Sequence, residues 1–191
     1  MHVHQQQQTP YLPSSRRWVW SIALTLGMSL VAVPSLARPL PSQSVASSSS
    51  SFTLAAQSNT VAQMEDQVWQ QINQQRQHHG LPPLRLNRQL SLVARSHSQQ
   101  MANQNFYGHV DPQGRNHRGR VEASGMNAYL IGENLMKCIR ANDPAGLSVQ
   151  SWMRSPAHRK NILLSEMQET GVGIWRQGQT YYVTQIYMEP K

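Results

Sequence analysis

The hydrophobic period of this chain changes toward its end, and that change limits the folds open to it. In residues 61–79 the apolar side chains Val61, Met64, Val68 and Ile72 recur at intervals of three and four, which lays them along one face of a helix. Gly80, Pro82 and Pro83 stop that helix, because proline has no N–H to donate and biases the residue before it toward extended backbone. Asn87 is suited to cap a second helix, on which Leu90, Val93, Ala94, His97 and Met101 share the inner side. Residues 171–176 and 180–188 are instead rich in β-branched and aromatic side chains, and Gln177-Gly178-Gln179 between them predicts an antiparallel hairpin. Helices first and paired strands last imply an α+β architecture, with helices packed on a small antiparallel sheet.

Between these parts the punctuation is dense. Asp111-Pro112-Gln113-Gly114 is a turn signal, and residues 116–123 read as a short helix ended by Gly125. Residues 128–135 read as an extended or irregular segment. Asp143-Pro144 starts a helix containing Leu147, Val149 and Trp152, and Ser155-Pro156 starts another helical turn that leads to Ile162 and Leu163.

The chain has 191 residues, enough for one domain with an extra segment. Arg16 and Arg17 precede an uncharged apolar run over residues 18–33, followed by Ser35-Leu36-Ala37, the small-x-small pattern of an export cleavage site. Residues 1–37 are therefore expected to be a signal peptide; an uncleaved anchor is the alternative, although the run is shorter than the roughly 20 residues that span a bilayer comfortably. Residues 38–60, with Pro39, Pro41 and serines at 47–51, have too little apolar surface to offset the entropy of ordering and are expected to form a disordered linker. The folded domain is expected over residues 61–191, secreted or periplasmic, with contact to the membrane only if the signal segment is uncleaved.

The formal charge is +8, and loss of Arg16 and Arg17 with the signal leaves +6. An exported basic surface favours anionic cell-wall polymer or lipid head groups. Nucleic acid is excluded as a partner because the basic residues are scattered and no binding motif is present. Cys138 is the only cysteine, so no intramolecular disulfide can form, and with no activating base beside it in sequence it is expected to be an inert thiol in a monomer. Phosphate-loop, nucleophile-elbow, His-Glu-x-x-His and Cys-x-x-Cys patterns are all absent from the sequence.

What remains is His109 in Phe106-Tyr107-Gly108-His109, Gly132-Glu133-Asn134, and His158 in Ser155-Pro156-Ala157-His158-Arg159. Two imidazoles and a carboxylate brought together could hold a divalent ion or move a proton. Each also has an ordinary reading: His109 bracing the turn, Glu133 binding backbone amides, His158 lying on the surface near a helix start. His97, on an apolar helix face, is expected to be a hydrogen-bonded core residue.

These strings, with His79-Gly80-Leu81-Pro82-Pro83-Leu84, Trp152, Asn161-Ile162-Leu163, Gly171-Val172-Gly173 and Tyr181-Tyr182-Val183-Thr184-Gln185, occur in an order that resembles the CAP superfamily of cysteine-rich secretory proteins, antigen five and pathogenesis-related proteins, especially its bacterial exported members. The resemblance implies an α-β-α sandwich, a small antiparallel sheet covered by helices on both sides. It also implies a cavity lined by two histidines and two acids. His109, Glu133 and His158 match three of those positions, and Ser155 stands where many eukaryotic members carry the second acid. A hydroxyl there can complete a hydrogen-bond network but cannot serve as a carboxylate base.

On this reading His109, Glu133, His158 and Ser155 line a ligand site, His109 and His158 are the metal ligands, zinc is the expected ion, and Glu133 orients an imidazole or a bound water. A metal-assisted hydrolase is the alternative. A catalytic zinc usually takes three protein ligands, so Glu133 would have to serve as the third and would leave no acid for proton transfer, which favours binding. The N-terminal expectation is testable: sequencing of the exported material should begin at Arg38, and a mature chain that retains Trp18 would point to an anchor.

Overall fold

A computed structural model of the protein describes the backbone from Ala46 and the side chains from Thr60 to Lys191. The expected signal peptide lies outside the described residues. The elements run α1 (Ala46–His78), β1 (Arg85–Leu86), α2 (Arg88–Asn103), α3 (His117–Ala123), β2 (Ala128–Ile139), α4 (Pro144–Arg154), α5 (Pro156–Leu163), β3 (Glu169–Gln177) and β4 (Thr180–Pro190). α1 thus begins at Ala46, within the segment expected as a linker. The caps fall where the sequence places them, with Asn87, Asn116 and Asp143 each accepting a backbone N–H from the first turn of its helix.

The sheet order is β1-β3-β4-β2. The hairpin of β3 and β4 and the pairing of β2 with β4 are antiparallel, but β1 runs parallel to β3 through Arg85↔Glu169 and Leu86↔Thr170. The sheet is therefore mixed rather than purely antiparallel. Its parallel part is only two residues long because Asn87 turns the chain at once into α2, its side chain accepting the Leu90 N–H at 3.0 Å. Residues 128–135 form part of the regular strand β2, with a register shift near Ala128.

Helices cover both faces. α2 lies directly on β3, where Gly171 and Gly173 leave no room for a side chain: a Cβ on Gly173 would stand 1.9 Å from the Arg95 backbone nitrogen. Val172 and Ile174 alternate to the other face and join Val68 and Ile72 of α1, Trp152 of α4 and Ile162 of α5 in the larger core. Cys138 is buried in that core, and burial raises its thiol pKa, the environment of an inert thiol.

Both sheet edges are closed by side chains. Past β1, the Val172 N–H donates to Ser91 Oγ and the Ile174 N–H to Glu65 Oε1, while Arg95 holds the Glu65 carboxylate. On the other edge, Asn161 Nδ2 donates to Glu133 O at 3.1 Å and Trp152 Nε1 to Leu135 O at 2.9 Å. These bonds satisfy backbone groups that would otherwise template another strand.

Arg76, near the end of α1, is 0% exposed. Its guanidinium donates to the carbonyls of Pro82, Ile162, Leu164 and Met167 at 2.8–3.2 Å, fastening α1 to the following loop and to the end of α5. Burial lowers its pKa. Arg76→Met should cost about 3–5 kcal/mol, since it leaves several buried carbonyls without a donor. Urea unfolding checks this, and a midpoint equal to that of the parent would refute it.

Candidate functional site

Strand alternation sends Glu133 and Asn134 to opposite faces of β2. Glu133 points toward α2 and α3, and its side chain has 0% exposure. Its Oε2 accepts from Arg120 Nη2 at 2.6 Å and its Oε1 lies 2.8 Å from His109 Nδ1. Burial pushes the Glu133 pKa up, but the His109 hydrogen bond and the Arg120 charge outweigh it and the net shift is downward. An ionised carboxylate only accepts, so His109 Nδ1 carries a proton and neutral His109 keeps its lone pair on Nε2. The His109 side chain is 49% exposed, which puts that nitrogen at the surface of the site.

The loop that carries His109 is fixed from several sides. His97 is buried, and its Nε2–H donates to Gly108 O at 3.0 Å, with Phe106 packed against its ring. Asp111 is also buried, accepting the Gln113 and Arg115 N–H groups and the Arg115 Nε–H. Burial raises the Asp111 pKa, yet these bonds bring it down overall. Arg120 Nη1 then donates to the carbonyls of His109 and Arg115, so one guanidinium holds both the loop and the Glu133 carboxylate.

His117 opens α3 and meets His109 edge-on, with ring centroids 6.4 Å apart. Its Nδ1 is buried and has no hydrogen-bond partner among the described residues. Burial lowers the His117 pKa, with Arg120 and His109 adding to the effect. Ligand atoms of His109, His117 and Glu133 all lie within 4.8 Å of one another, a His/His/Glu cluster consistent with an ion or ligand site.

His158, on α5, is not part of that trio. Its backbone carbonyl accepts from Asn134 Nδ2 at 3.1 Å, and Asn134 in turn bonds Tyr187 Oη and Asn161. The His158 imidazole pKa is lowered by burial and by the neighbouring His109, which places it within electrostatic reach. Ser155 sits at the junction of α4 and α5, its backbone N–H donating to Trp152 O and its side chain making no cap bond. His117 and Arg120 were not singled out from the sequence. The signal for them was the concentration of Arg115, His117, Arg118 and Arg120 around a turn, opposite a lone glutamate in the next strand.

The sequence pattern described as the cysteine-rich secretory protein family, CAP, matches residues 69–187. YkwD of Bacillus subtilis (strain 168) is 31% identical over 137 residues, covering 72% of this chain and 52% of that protein. The membrane protein YlbC of the same organism is 30% identical over 125 residues, covering 65% of this chain and 34% of YlbC. The chain thus spans about half and about a third of these relatives. Among solved structures, an extracellular protein containing a SCP domain from Bacillus anthracis str. Ames superposes with a TM-score of 0.59 at 28% identity, covering 66% of this chain and 40% of that one.

The site predicts how stability depends on pH. His97, His117 and His158 have folded pKa values below the ordinary 6.5, so the unfolded chain takes up their protons first and stability declines as pH falls below about 6.5. Glu133 adds a second decline: its stabilisation is present above the ordinary 4.5 and is lost as pH falls through the lower folded value. Thermal midpoints measured across pH should show both steps, with the upper one reduced in His117→Ala and the lower one in Glu133→Gln. A profile unchanged in both variants would contradict the assignment.

Proposed function

This chain belongs to the cysteine-rich secretory protein family, whose pattern covers residues 69–187, and on that premise we propose that its domain is a binding module acting outside the cytoplasm, with a divalent ion or small ligand held in the histidine cavity. The observation that carries the reading is the pairing of His109 with a buried, ionised Glu133, which fixes the ring and leaves the Nε2 lone pair available to an ion. His117 strengthens it, because an imidazole nitrogen buried without a partner is a group awaiting one. The nitrogen donors fit zinc, which bound there would act as a Lewis acid toward an oxygen ligand. His109 and His117 are the proposed direct ligands. His158 is proposed to approach from α5 as a further imidazole, and the Ser155 hydroxyl to take part in the hydrogen bonding around it.

Binding is favoured over hydrolysis by the state of Glu133. Both of its oxygens already accept hydrogen bonds, one from Arg120, so it is poorly placed to take a proton from an attacking water. The export signal expected in residues 1–37 and the basic charge support action at the cell envelope, on lipid head groups or anionic wall material.

Calorimetric titration with zinc at neutral pH tests the reading. His109→Ala and His117→Ala should each weaken binding by about tenfold or more, Glu133→Gln by about 10- to 100-fold through loss of ring orientation, and His158→Ala by less. Absence of zinc binding by the parent chain, or equal affinity in all variants, would overturn it.

A further inference from the structure

A second site lies away from the histidine cavity. α1, α4 and α5 enclose an open groove of about 600 Å³ whose lining includes Arg154 and Arg159 and no acidic side chain. Asp143 caps α4 through the Gly146 N–H and brings its carboxylate against Gly146 at one end of the groove. No Asp or Glu occurs over residues 144–165, so α4 and α5 bring Arg154 and Arg159 to the groove with no acid within either helix.

One of the two guanidiniums is oriented. His79 Nδ1 lies 2.7 Å from Gln75 O, an acceptor, so Nδ1 carries the proton and Nε2 is free to accept from Arg159 Nη2 at 3.1 Å. The last turn of α1 thereby fixes Arg159 over the groove through His79, which lowers the entropy lost when the fork engages an anion. Gln71, Gln75 and Gln150 add neutral amides that donate to hydroxyl or ester oxygens, while only Val149 and Met153 are apolar.

We propose that this groove binds a hydrophilic phosphodiester polymer of the cell envelope, with Arg154 and Arg159 on successive phosphates and the glutamines on the sugar or polyol between them. Guanidinium forks match phosphate oxygens, and an open groove suits a chain that continues past the site. The amide-rich lining disfavours an acyl tail, which needs apolar walls. The absence of Phe, Tyr and Trp from the lining disfavours single-stranded nucleic acid, whose bases need broad stacking platforms. The site goes beyond the histidine cavity and uses none of its residues; the reading of export outside the cytoplasm supplies the class of polymer.

The test is titration of the full chain with a short synthetic poly(glycerol phosphate), with polyglutamate, single-stranded DNA and a long-chain fatty acid as competitors. The oligomer should bind, more weakly as salt rises. Arg154→Ala and Arg159→Ala should each weaken binding about tenfold. Arg159→Lys and His79→Ala should fall between these variants and the parent, since each keeps a charge at 159 but loses the oriented fork. All three positions, His79, Arg154 and Arg159, are exposed at the groove, so thermal midpoints should not move. His109→Ala should bind the oligomer as the parent does, and Arg154→Ala should bind zinc as the parent does, which separates failure here from failure of the cavity reading. The proposal is overturned if the oligomer does not bind, if binding persists in the double Arg154→Ala, Arg159→Ala variant, or if polyglutamate, DNA or fatty acid competes better than the oligomer itself.

Discussion

A carboxylate without solvent sets the terms for the histidine cavity. Glu133 sits on a central stretch of β2 where burial alone would favour the neutral acid, and it stays charged because Arg120 and His109 converge on its two oxygens. Arg120 in turn holds the carbonyls of His109 and Arg115, so the electrostatic need of one side chain organises the loop after α2 and the start of α3. The tautomer of His109 follows from this arrangement. So does the position of His117, which is brought to the cavity by the same short helix that delivers Arg120.

The neighbouring residue carries a different part of the structure. Asn134 faces α5 and joins the His158 carbonyl, Asn161 and Tyr187 in one hydrogen-bonded group on the opposite face of the strand. Two adjacent positions of β2 thus hold the two helical layers by polar contacts, one charged and one neutral. The packing that surrounds them is apolar and close, with α2 resting on the bare backbone of Gly171 and Gly173.

Much of this was legible in the sequence, for local reasons. Asn87, Asn116 and Asp143 mark helix starts because each capping oxygen accepts a backbone N–H only three residues further along the chain. Gln177-Gly178-Gln179 announces a hairpin because Gly178 adopts a φ of +60°, a conformation that most side chains resist. His109 and Glu133 stood out through their motifs, and their contact is present. What could not be read is what depends on distant partners. His117 carries no local signal of its role, because nothing within its own turn shows that its ring will meet Glu133 of β2. The burial of Arg76 is not signalled in its glutamine-rich helix, since the carbonyls it binds at Ile162, Leu164 and Met167 arrive from the far end of the domain. The parallel pairing of β1 leaves no mark in the sequence because two residues carry no periodicity.

The closed edges of the sheet have a consequence for life outside the cell. Glu65, Ser91, Asn161 and Trp152 occupy backbone groups that a foreign strand would need, and they do so with side chains rather than with further strands. A domain expected to act where no cytoplasmic chaperone can retrieve it therefore carries its protection against self-stitching into fibres in four ordinary residues. Drift at Glu65, Ser91 or Trp152 would leave the side-chain contacts of Glu133 in place and yet free backbone groups on a sheet edge, whereas Asn161 serves the edge and the strand of Glu133 at once.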